Sequence, residues 1–193
     1  MLNPKTPNRQ SWLDDATARF EAANEALVLP TRSRLTKIIA NPERHARFLN
    51  TLALLEHIGS YRIMVSQHGD TLAQPTLRHL AEEAHHAFFM KRQAEKTAGR
   101  SLEFRSEELL ADSTARSYFR RLEALIHGRL RRDGAAQATY LYMSMIVEFR
   151  ALWFYQHYQL ALRAAGSPIS LRRILGEEAN HLVEMADRLE HGG

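Results

Sequence analysis

The sequence predicts an all-α fold, a bundle of four long helices with shorter helices around it. Apolar residues recur at helical spacing over long stretches, and no stretch alternates with the period of two that a strand needs. Glycine and proline fall between the periodic stretches, at Pro30, Asn41-Pro42, Gly69-Asp70, Gly99, Gly134 and Gly166-Ser167-Pro168.

In chain order, residues 11 to 28 form an amphipathic helix on Trp12, Leu13, Phe20, Ala23 and Leu27. Pro30, lacking an N–H, is expected to interrupt it, and a second short helix covers 32 to 39. Residues 1–41 are thus a helical N-terminal extension lying across the outside of the bundle. The first bundle helix runs from Pro42 to His68, with Asn41 as its cap and Pro42 in the first turn, where a missing N–H costs nothing. The second runs from Pro75 to Ala98 and is closed by Gly99. The short link makes this pair antiparallel.

Residues 99–134 form a long connection. It holds a helix from Ser113 to Arg132 and a short turn at Ser106 to Glu108, and is long enough to cross the bundle. The third bundle helix reads from Gly134 to Ala165 and the fourth, capped by Ser170, to Leu189. The chain 1–193 is therefore expected to be one domain, with the bundle at 42–190.

Composition narrows the chemistry. The 193 residues are 45% apolar and contain no cysteine, which excludes disulfides and thiolate chemistry. No apolar run approaches a membrane span and no signal core opens the chain, so a cytoplasmic location is the expectation. The net charge is +4. Arginine runs at 120–121, 129–132 and 172–173 lack interleaved aromatics and read as solvated helix faces, with nucleic-acid binding the minor reading.

The chemistry concentrates in a repeat. Glu82-Glu83-Ala84-His85-His86 and Glu177-Glu178-Ala179-Asn180-His181 agree at four of five positions. Each follows a lone glutamate set in an apolar run, Glu56 at 27 residues before Glu83 and Glu148 at 30 before Glu178. On a helix, positions i and i+3 share a face, so Glu-x-x-His aims a carboxylate and an imidazole at one point. Glu83, His86, Glu178 and His181 fall on apolar stripes, as do Glu56 and Glu148. Glu82 and Glu177 fall on the polar lines beside them. Four carboxylates in an apolar interior cost on the order of several kcal/mol each unless cations or protons compensate them. Carboxylates with imidazoles suit iron or manganese and, less specifically, zinc.

This order, Glu, Glu-x-x-His, Glu, Glu-x-x-His on two hairpins, resembles the ferritin-like di-iron carboxylate superfamily over about residues 42 to 190. The resemblance implies a ferritin-like four-helix bundle holding two metal ions. Glu56 and His86 would be terminal ligands of one, Glu148 and His181 of the other, with Glu83 and Glu178 bridging. It implies that Glu82 and Glu177 accept hydrogen bonds from the opposite ligand histidines. His85 and Asn180 stand where many oxygen-activating members carry arginine, a departure from the large multicomponent hydroxylases. Among the remaining histidines, His57, His68, His79, His127 and His157 read as non-coordinating, although His79 lies one turn before Glu83 on the same side.

The activity implied is that of an oxidoreductase using dioxygen on a small organic substrate, with an external electron donor; a homodimer is compatible with it. A ferroxidase or iron-handling protein and a non-catalytic partner-binding bundle remain open beside it. The first reading requires a cavity reaching the metals between the first and third bundle helices, lined by Leu52, Leu55, Met145 and Leu152. Gly59 and Ala151, one turn past the lone glutamates, leave space there or allow close packing. Tyr155, two turns past Glu148, is a candidate hydrogen-bond or radical donor or an ordinary core residue.

Overall fold

Six α-helices follow one another in the computed structural model, which describes residues 9–66, 73–132 and 139–190: α1 (Arg9–Ile39), α2 (Pro42–Ser66), α3 (Gln74–Ala98), α4 (Asp112–Arg132), α5 (Thr139–Ala164) and α6 (Arg172–Glu190). There is no strand among the described residues. A 3₁₀ turn at Ser106–Glu108 interrupts the connection between α3 and α4. The expected helix end at His68-Gly69 and the expected start at Gly134 lie outside the described residues.

Helix ends follow local chemistry. The Asn41 side chain accepts the Arg44 N–H at 2.9 Å, so Asn41 caps α2 and Pro42 opens it. Gly99 closes α3 in the left-handed region at φ 68°. Gly166, at φ 65°, closes α5, and the Ser167 N–H returns to the Leu162 carbonyl at 2.9 Å. At the start of α6 the buried Leu171 N–H finds the Gln159 side chain at 2.5 Å, and no Ser170 side-chain cap forms.

The expected break at Pro30 does not occur: α1 continues through it as a single 31-residue helix. Proline forfeits one backbone bond and crowds the carbonyl four residues back. Tertiary packing outweighs that cost, because α1 is held on both sides of Pro30. Leu13 joins a cluster with Met145 and Leu182 before it, and Leu35 is buried with Leu49 and Tyr158 after it.

Helices α2 and α3 form one hairpin and α5 and α6 a second. Asn50 meets Lys91 while Glu56 meets Glu83, so α2 and α3 run in opposite directions. Gln159 meets Leu171 while Glu148 meets His181, so α5 and α6 do too. The main core, with Leu49, Met90, Tyr158, Leu162 and Leu171, lies toward one end of these pairs. A smaller cluster of Leu13, Leu141, Leu182 and Met185 lies toward the other. The acidic site falls between them.

The crossover is anchored by a buried asparagine. Asn50 Nδ2 donates to the Glu103 carbonyl at 2.8 Å and to the Glu108 carbonyl at 3.0 Å, and its Oδ1 accepts from Lys91 at 3.1 Å. Among the described residues no helix is long and apolar enough to cross a membrane. Asn50→Ala strands these groups and is expected to lower unfolding stability by about 3 kcal/mol, read from chemical denaturation against the parent protein.

Candidate metal centre

Seven buried donor residues converge between the two hairpins. On α3 the buried stripe is Thr76, His79, Glu83, His86, Met90 and Ala94, at steps of three or four. It passes through His79, while its neighbour Leu80 is only half-buried. On α6 the inward face carries Ile174, Glu178, His181, Leu182 and Met185, as expected. Glu56 on α2 and Glu148 on α5 are 8% and 3% exposed.

The donors sort into two overlapping groups. One is Glu56, Glu83, His86 and Glu178; the other is His79, Glu83, Glu148 and His181. Within each, one donor atom per residue lies within 4.8 Å of all the others, so each group can hold a metal ion. Glu83 belongs to both. Glu178 also touches the second group, 3.3 Å from His181 Nδ1. All six residues expected as ligands are therefore brought together.

His79 is the correction. It was expected not to coordinate, yet it is 2% exposed, its Nε2 is 3.0 Å from Glu148, and its ring centroid lies 4.0 Å from that of His181. Its position four residues before Glu83, on the same face, was the available signal. The other histidines stay apart. His57 is exposed and stacks on Phe104, and His157 accepts from Arg32 Nε at 3.3 Å. His127 is exposed, and His68 lies outside the described residues.

The two motif histidines are oriented alike. His86 Nε2 donates to Glu177 at 2.9 Å and His181 Nε2 donates to Glu82 at 2.8 Å, each bond crossing from one hairpin to the other. Glu82 and Glu177 are half-buried at the edge of the core, which reconciles their polar lines with their contact to the site. With a proton fixed on each Nε2, Nδ1 is the nitrogen that faces inward, and it is the one a cation would use. His86 Nδ1 sits 3.5 Å from both Glu83 and Glu178, and His181 Nδ1 sits 3.6 Å from Glu83.

Tyr155, buried on α5, donates its O–H to Glu56. Burial first, then the charge of Glu56, pushes its pKa up, so it stays a donor. Gly59 faces Glu83: a Cβ there would lie 3.4 Å from Glu83 Oε2, an ordinary van der Waals contact, so the site has room for a methyl group at this position.

Without a cation the cluster is short of positive charge. Burial pushes Glu56 and Glu83 well above the usual carboxylate range, and neighbouring carboxylates push the same way. Glu178 rises to about 8, from burial and then Glu148. Burial disfavours a proton on His181, but hydrogen bonds to Glu148 and Glu178 outweigh it and push its pKa to about 12. Burial and then His181 hold His79 down at about 3. Glu83 Oε1 and His86 Nδ1 are buried with no hydrogen-bond partner. Orphaned acceptors aimed at one point, hard carboxylates and imidazoles together, fit a pair of divalent metal ions.

Comparison with protein families, with curated proteins and with solved structures finds no match to this chain. The functional reading therefore rests on the residues themselves.

Two predictions follow from this geometry. Glu83→Ala removes the donor both groups share and should abolish binding of both ions, whereas Glu82→Ala or Glu177→Ala should weaken binding about 10- to 100-fold, read by metal counting after equilibrium dialysis. The second concerns pH. Folding raises the proton affinity of Glu178 and His181, so the metal-free native state holds more protons than the unfolded chain. Stability must then fall as pH rises from 6.5 to about 8. His79, whose affinity is lowered, acts only below 6.5 and does not oppose this. Metal-free protein should show a falling Tm across that window, and metal binding should release protons, measurable in weakly buffered titrations.

Proposed function

We propose that this protein is a ferritin-like oxidoreductase holding two iron or manganese ions, which uses dioxygen to oxidise a small organic substrate. The observation that carries this reading is a cavity of about 270 Å³ that meets the donor cluster at Glu56 and Glu83. Its walls are chiefly apolar and aromatic, among them Leu52, Leu55, Phe119, Ala151 and Phe154. A route for ferrous ions or a mineral core would favour acidic walls, and a purely structural bundle has no use for a void against buried acids.

Leu52 and Leu55 line the cavity as expected, but Met145 and Leu152 do not. They face the cluster with Leu13 and Leu182 instead. The cavity opens on the side of α5 that carries Val147 and Ala151, and α1 and α4 close it with Phe20 and Tyr118.

Bound metal would supply redox and Lewis-acid chemistry toward dioxygen. The chain supplies the rest. Four carboxylates balance the charge of two divalent ions. Glu82 and Glu177 hold the imidazoles in register, and Tyr155 holds Glu56, the ligand at the cavity floor. Apolar walls exclude water from the substrate's reacting carbon. Ala151 keeps space open beside Glu56.

Anaerobic titration with Fe(II) should saturate at about two ions per chain. With an external reductant, dioxygen uptake should then depend on an added apolar organic compound and yield an oxygenated or dehydrogenated product by mass spectrometry. Rapid uptake with ferric iron accumulating and no organic requirement would instead establish a ferroxidase. No metal binding at all would end the reading.

A further inference from the structure

The cavity that meets the donor cluster carries one cation out of place. On α5 its lining includes Val147, Arg150, Ala151 and Phe154, which share an i, i+3, i+4, i+7 face, beside Trp153 and Tyr155. Three of the four on that face are apolar or small, as a cavity wall requires, and the fourth is an arginine. Its guanidinium carbon sits 4.8 Å from the centre of the Tyr118 ring, itself a wall residue, which limits the directions the side chain can take.

Arg150 also has no carboxylate partner among the described residues. By contrast, Arg62 lies over Phe119, next along α4, but is neutralised by Glu123 at 2.6 Å. Of two arginines packed on this aromatic pair, only the one lining the larger cavity keeps an uncompensated charge. It is exposed to solvent, while Glu56 and Glu83, which line the same cavity, are buried.

We propose, building on the dimetal reading above, that the substrate is an amphiphilic organic anion. Arg150 binds its acidic group at the mouth, and its apolar body passes Tyr118 and Phe154 toward Glu56. A second apolar-walled cavity, of about 320 Å³, adjoins the first along Leu52, Leu55, Tyr118 and Phe154 and gives a longer apolar body room to extend. Guanidinium suits this task because it offers a planar fork to a carboxylate or phosphate while its stem remains apolar.

The test compares octanoate with octan-1-ol, which shares its alkyl chain and lacks the charge. Calorimetry is run on parent protein and on Arg150→Gln and Ala151→Phe, and metal is counted in the same samples. Parent protein should bind octanoate at least about ten-fold more tightly than the alcohol, the worth of one charged hydrogen-bonded contact. Arg150→Gln should reduce that preference to within about two-fold, with alcohol binding and metal content unchanged. Ala151→Phe, which fills the cavity, should lose both ligands and keep its metal. Equal binding of acid and alcohol by parent protein, no binding of either, or a preference that survives Arg150→Gln overturns the proposal. Each reading is independent of the metal count: two ions without an acid preference leaves the metal centre standing, and an acid preference without metal leaves the anion site standing.

Discussion

Burying four carboxylates beside three imidazoles is the constraint on which the rest of the molecule depends. Such a cluster is unfavourable by itself, since each acid loses its hydration and faces its like. In the metal-free cluster, burial and the neighbouring acids push Glu178 up to about 8, burial of His181 is outweighed by its hydrogen bonds to Glu148 and Glu178, which push it up to about 12, and burial with His181 holds His79 down at about 3. The apolar clusters on either side provide the stability against which that cost is set. A pair of cations would remove the cost at its source.

The hairpins are joined across the site less by close backbone than by long polar side chains. Glu177 reaches His86, Glu82 reaches His181, and Tyr155 reaches Glu56, each tying one hairpin to the other. The same bonds that fix the imidazole tautomers therefore also fix the spacing of the hairpins. Function and architecture share a few contacts, and neither can be altered without the other. Farther along, His45 and Tyr158 make a similar cross-link at 2.6 Å, well away from the donors.

The donor set was largely legible because it is repeated and because helix periodicity is strict. Six positions followed from two Glu-x-x-His motifs and two glutamates stranded in apolar runs. His79 escaped because the repeat does not contain it: four residues before Glu178 stands Ile174, so symmetry argued against looking there. The continuity of α1 through Pro30 was illegible for another reason. Proline's local penalty can be read from one residue, whereas the packing of Leu13 and Leu35 that overrides it depends on helices far away in sequence. The cavity walls on α1 and α4 share that limit, since Phe20 and Tyr118 meet only in three dimensions.

The lone extra imidazole makes the two donor groups unequal. One group offers three carboxylates and a single ring nitrogen; the other offers two of each. The nitrogen-richer group would suit a borderline ion better than its neighbour does. Two ions entering such a site would fill it in a preferred order, a choice that a perfectly mirrored scaffold would not impose.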